Sequence, residues 1–103
     1  MIVRAWHGWT RRDDADRYAQ FLEHEFLPAA EAIPGLRGAQ ILRRDDGDEV
    51  AFLILTHFET IDAIREFAGT DWEAAHIAPQ AMQWLTRFDR RCAHYEQAYE
   101  RRR

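Results

Sequence analysis

The sequence predicts an α+β fold built in the order β-α-β-β-α-β. Three observations carry that expectation. Residues 49–58 form the most apolar stretch of the chain, too short for a buried helix and flanked by turn signals. Two other stretches, 14–32 and 61–68, repeat apolar residues at steps of three and four, as amphipathic helices do. "DDGD" at 45–48 reads as a hairpin turn, with Asp-Gly tolerating positive φ. The order is that of the split βαβ, ferredoxin-like arrangement. Right-handed crossovers then give an antiparallel four-stranded sheet in the order 4-1-3-2, with both helices on one face.

The first strand is read over Ile2–Trp9, rich in β-branched and aromatic residues. Asp14 opens the first helix, whose stripe is Ala15, Tyr18, Ala19, Leu22, Phe26 and Ala29, with Pro28 kinking it or ending its regular part near Ala32. "IPG" at 33–35 is a turn, and Leu36–Arg44 is the second strand. Glu49–Phe58 is the third. Thr60 caps a helix carrying Ile61, Ile64, Phe67 and Ala68, and Gly69 closes it. "TDWEAAH" predicts a short helical turn, Pro79–Leu85 another, and Phe88–Tyr99 the last strand. Residues 1–99 thus make one domain, and 100–103 a frayed basic tail.

Composition removes several function classes. The 103 residues contain no Ser, Asn or Lys and a single cysteine, Cys92. A serine hydrolase, a lysine Schiff base, a Walker-type phosphate loop, a disulfide framework and a cysteine zinc cage are excluded. The net charge of −4 argues against nucleic acid, and the Arg pairs sit beside Asp or Glu. No apolar run is long enough to span a bilayer, and the amino terminus has no secretory pattern, so a cytoplasmic protein without a membrane partner is expected. Glu73-x-x-His76 is a lone pair of its kind and predicts no metal site.

Strand three is apolar on both sides: Phe52, Ile54 and Phe58 alternate with Ala51, Leu53 and Leu55. A sheet face without helices must be covered, and the same face of a second copy is the economical cover. A homodimer whose two sheets close into an α/β barrel is therefore expected.

"PGLRGAQILRR", "LTHFET" leading into a helix, and "GTDWEAAH" together resemble the antibiotic biosynthesis monooxygenase-like family of dimeric α/β-barrel proteins, over about residues 1–97. That resemblance implies a small cofactor-independent oxygenase acting on an aromatic or polyketide-like molecule. It offers two alternatives: a haem-binding, even haem-degrading, barrel, and a non-catalytic dimer that binds a small apolar ligand. The haem-degrading members carry an Asn, a Trp and a haem-ligating His where this chain has His7, Phe58 and His76. His76 is the ligand in that alternative; the oxygenase reading needs no cofactor.

Alternation places Val3, Ala5, His7 and Trp9 on one face of strand one, and Arg4 and Trp6 on the other. By the resemblance, the His7 face looks toward the helices and the pocket, with Phe58, while His57 points the opposite way into the barrel. His7 is then either a hydrogen-bonded core histidine or the general base, since imidazole titrates near neutrality. Tyr18 is core or an oxyanion donor. Trp9, Trp72, His76 and Trp84 line or lid the pocket, or pack. Arg4 is expected to pair across the dimer with Glu96, and Gly8 to let a ring or backbone come close.

Overall fold

The computed structural model describes all 103 residues. Strand β1 spans Ile2–Arg11. One helical stretch, α1, follows as a 3-10 turn Arg12–Asp14, an α-helix Ala15–Phe21, a wide π turn Leu22–Phe26 and a final turn Leu27–Ala30. In the wide turn the Leu27 N–H reaches back five residues to the Leu22 carbonyl. Pro28 has no N–H and its ring crowds the preceding turn, so the helix opens just ahead of it rather than kinking at it.

Strands β2 (Leu36–Asp46) and β3 (Glu49–Phe58) form the expected hairpin, its two-residue turn begun by Gly47 at φ 63°. Helix α2 spans Ile61–Ala68. The Thr60 hydroxyl accepts from the Ala63 N–H at 3.1 Å, and Gly69 ends the helix at φ 86°. A 3-10 turn, Pro79–Gln83, precedes strands β4 (Leu85–Phe88) and β5 (Ala93–Glu96). No helix is long and apolar enough to cross a membrane.

The sheet is antiparallel, in the order β2-β3-β1, with β4 and β5 both pairing the free edge of β1. Two expectations need correction here. The last strand is not continuous over Phe88–Tyr99, and "TDWEAAH" makes only a single turn, closed by the Ala74 N–H on the Asp71 carbonyl at 3.1 Å, before it extends. The two departures share one cause. Asp89 takes over the ladder: its N–H donates to the His7 carbonyl at 2.9 Å, and its carboxylate accepts the His7 N–H at 3.2 Å. The next residues leave β1 and pair with the extended segment 73–75. The Ala75 N–H donates to the Arg90 carbonyl at 2.9 Å, and the Cys92 N–H to Glu73 at 2.7 Å.

The core lies between α1 and one sheet face. Ala15, Tyr18 and Leu22 meet Val50, Phe52 and Ile54, and Tyr18 stands edge-on to Phe52 at 4.9 Å. The opposite face carries no helix. It presents Val3, Leu53 and Leu55, flanked by Leu42 and Tyr95, which are 47% and 60% exposed.

The register of β1 against β3 corrects the facing of the first strand. Arg4 pairs Thr56, Trp6 pairs Ile54 and Gly8 pairs Phe52. Directly paired residues share a face, so Arg4, Trp6 and Gly8 look toward the helices with Ile54 and Phe58. His7 pairs Leu53, so His7, Trp9 and His57 all lie on the uncovered face; His7 and His57 do not face opposite ways.

Gly8 explains how a Trp fits this side. A Cβ there would stand 2.6 Å from Trp6 Cη2 and 3.0 Å from Leu85 Cδ2. The indole lies over the bare backbone, as the glycine suggested. Gly8→Ala is expected to lower stability by about 1–3 kcal/mol through overpacking, read as a lower urea midpoint with an unchanged m-value.

Candidate functional site

A cavity of about 430 Å³ lies between α1, the sheet and the segment 75–81. Trp6, Ile54 and Phe58 form its floor. Tyr18, Leu22 and Phe26 of α1 form one wall, because the α1 stripe turns these residues toward the sheet. His76, Ile77 and Ala81 close the other side, and Phe67 of α2 fills an end. The roof exists because residues 90–92 hold the 73–75 segment by backbone bonds. Its size is that of a small-molecule site, and its lining is overwhelmingly apolar.

Three of the sequence-predicted site residues come together here: Tyr18, Phe58 and His76. Tyr18 is 2% exposed, and its side chain forms part of the cavity wall. Burial pushes its phenol well above the ordinary 10.0, so it stays a proton donor. Phe58 is buried and packs on Phe67 with ring centres 5.9 Å apart; Phe67 in turn meets the His76 ring at 6.1 Å. His76 Nε2 lies 2.9 Å from the Ala68 carbonyl. A carbonyl only accepts, so Nε2 donates in this bond.

The other four sit elsewhere. His7 is on the uncovered face, its Nδ1 2.9 Å from the Asp89 carboxylate, and its ring stacks on Trp9 at 5.9 Å. Trp9 donates its indole N–H to Asp46 at 3.0 Å and lies under the Arg87 guanidinium at 3.9 Å. Neither lines the cavity. Trp84 packs behind the wall, against Phe21 at 5.5 Å and Tyr18 at 6.2 Å. Trp72 stands edge-on to His94 at 4.7 Å, outside the lining.

Sequence reasoning missed Trp6 and Arg4. The Trp6 indole N–H donates to the Asp89 carbonyl at 2.7 Å, which fixes the ring over Gly8. Arg4 is only 6% exposed and reaches the cavity beside Cys92. It makes no ion pair with Glu96. Its guanidinium donates to the Trp72 and Ala74 carbonyls and to His94 Nε2, and lies 5.8 Å from the Phe67 ring centre. Desolvation lowers its pKa; desolvation and then the Arg4 charge lower that of His94. Burial raises the Cys92 thiol, which Arg4 partly offsets. The signal for Arg4 was a cation set between the apolar Val3 and Ala5 near the start of the strand.

Solved structures share this architecture. MhuD of Mycobacterium tuberculosis, a haem degrader with two haems bound in its active site, superposes with a TM-score of 0.67 at 22% identity, over 97% of this chain and 98% of that one. A Bacillus cereus protein assigned as an antibiotic biosynthesis monooxygenase gives 0.69 at 8% identity, over 99% and 97%. One from Nitrosomonas europaea gives 0.67 at 16% identity, over 96% and 100%. The fold is that of the antibiotic biosynthesis monooxygenase-like proteins. No family model matches the chain, and no curated protein matches it.

Tyr18 gives the site a titration that can be followed. Its phenol is raised in the folded protein, so above pH 10 the unfolded chain releases that proton first. The stability it contributes is intact below pH 10 and is lost as the pH rises. Tyr18→Phe is expected to flatten the fall of the urea midpoint above pH 10.

Proposed function

We propose that the protein is a cytoplasmic, homodimeric, cofactor-independent oxygenase acting on an aromatic or polyketide-like small molecule held in this cavity. The observation that carries the reading is an apolar, aromatic-walled space lined by both an imidazole, His76, and a phenol, Tyr18. Support also comes from the fold shared with proteins assigned as monooxygenases.

His76 takes the role of base that His7, facing away from the cavity, does not fill. With Nε2–H held on the Ala68 carbonyl, Nδ1 accepts a proton from a phenol or an activated C–H of the ligand. The electron-rich anion that results can react with dioxygen. Tyr18 donates to the oxyanion as charge develops, and Trp6, Phe58 and Phe67 exclude water and hold a flat ring. The dimer supports the cavity from behind: the uncovered face of Val3, Leu53 and Leu55 is hidden against its copy.

A second reading, haem binding, is favoured by His76 itself. A ligating histidine characteristically donates its other ring N–H to a carbonyl, as His76 does to Ala68. His76 Nδ1 would hold the iron, with Phe58 and Phe67 against the ring system. The iron, when bound, supplies the centre for dioxygen activation.

With a dihydroxyanthrone-type probe, oxygen uptake is expected and His76→Ala should lower it by about 10²–10⁴-fold; undiminished uptake would remove the base. Titrating hemin decides the second reading, which requires a Soret shift that His76→Ala abolishes. Sedimentation should find a dimer that Leu53→Glu splits.

A further inference from the structure

We infer that the cavity is a site for organic anions, a flat apolar body bearing one carboxylate-type group, and that Arg4 receives that group. The inference rests on the cavity being a ligand site and is independent of oxygenase chemistry.

Arg4 is a cation buried without a counter-ion. It is 6% exposed, and no carboxylate lies within ion-pair distance. Its partners are neutral: the carbonyls of Trp72 and Ala74, and His94 Nε2 at 2.9 Å. Because a guanidinium only donates, His94 Nε2 is the acceptor and its proton sits on Nδ1. That Nδ1 is itself buried with no partner. The imidazole therefore brings no negative charge. Cys92, beside Arg4 on the same cavity wall, is kept in its thiol form by burial. Glu25 also lines the cavity but makes no bond to Arg4. Carbonyl dipoles solvate a buried charge without neutralising it, and buried charges are ordinarily paired.

The donors left over point to the shape of the missing partner. Nη1 is committed to Trp72 and His94, and Nη2 to Ala74 with one of its hydrogens. Nε–H and the second Nη2–H have no partner in the chain. Nε and Nη2 lie along one edge of the guanidinium, the edge that can grip a carboxylate with two parallel bonds. A purely structural Arg4 would serve to pin the segment 72–74. That segment is already held by the Cys92-to-Glu73 and Ala75-to-Arg90 backbone bonds. The apolar remainder of the ligand lies along Trp6, Phe58 and Phe67.

The test compares 2-naphthoate with its neutral isostere 2-naphthamide by calorimetric titration of the full chain. The wild-type protein should bind naphthoate about tenfold or more tightly than naphthamide. Arg4→Gln should bring naphthoate down to the naphthamide value; Arg4→Lys should keep part of the preference. Equal affinities in the wild type, or a preference that survives in Arg4→Gln, would overturn the assignment while leaving the cavity as a ligand site. Binding of neither compound at millimolar concentration would overturn both. The wild-type comparison decides even if Arg4→Gln does not fold.

Discussion

The pairing of β1 with β3 is the constraint on which the rest depends. Once Trp6 sits opposite Ile54 and Gly8 opposite Phe52, every second residue of β1 is committed to the helix side. A slip of one residue would send the Trp6 indole and the Arg4 charge to the uncovered face and bring His7 and Trp9 inside. Gly8 and Asp89 hold the pairing as it is. The glycine clears space for the indole, and Asp89 bonds both the Trp6 side chain and the His7 backbone. Thr10 lies fully buried at the end of the same face.

From that register the cavity follows. Asp89 ends the regular ladder, the chain turns away from β1, and residues 90–92 bind the segment 73–75 instead. This places His76 and Ile77 over the sheet and leaves an unfilled volume beneath them. Large side chains are present, but they stand around the space rather than in it: Trp84 packs outside Tyr18, and Trp72 against His94. Native interiors are close-packed. A void of this size lined by aromatic rings, a phenol and a cation without a counter-ion has the character of a ligand site.

Much of this was readable from the sequence, for definite reasons. The α1 stripe, the Thr60 cap, the Gly69 stop and the turn at Gly47 are local signals, and each stands where its chemistry placed it. The facing of β3 came only through the family resemblance, because the strand is apolar on both sides. The facing of β1 was not readable. Alternation divides a strand into two sets but does not say which set meets the helices, and both sets here contain a tryptophan. The clue was Gly8 beside Trp6, a glycine that makes sense only where a ring must lie flat on the backbone. The break at Asp89 was unreadable locally, since it depends on residues 73–75 arriving from elsewhere in the chain. His76 and Tyr18 both line the cavity; Arg4 was noticed as odd and assigned to the wrong face.

The most direct test of the account is an NMR titration of the isotopically labelled protein with 2-naphthoate, following the indole N–H signals and the isoleucine and leucine methyls. The account predicts that the Trp6 indole and the methyls of Ile54 and Ile77 shift together and saturate, while Trp9 and Leu53 stay still. Shifts centred on Trp9 and Leu53, with Trp6 unmoved, would contradict it.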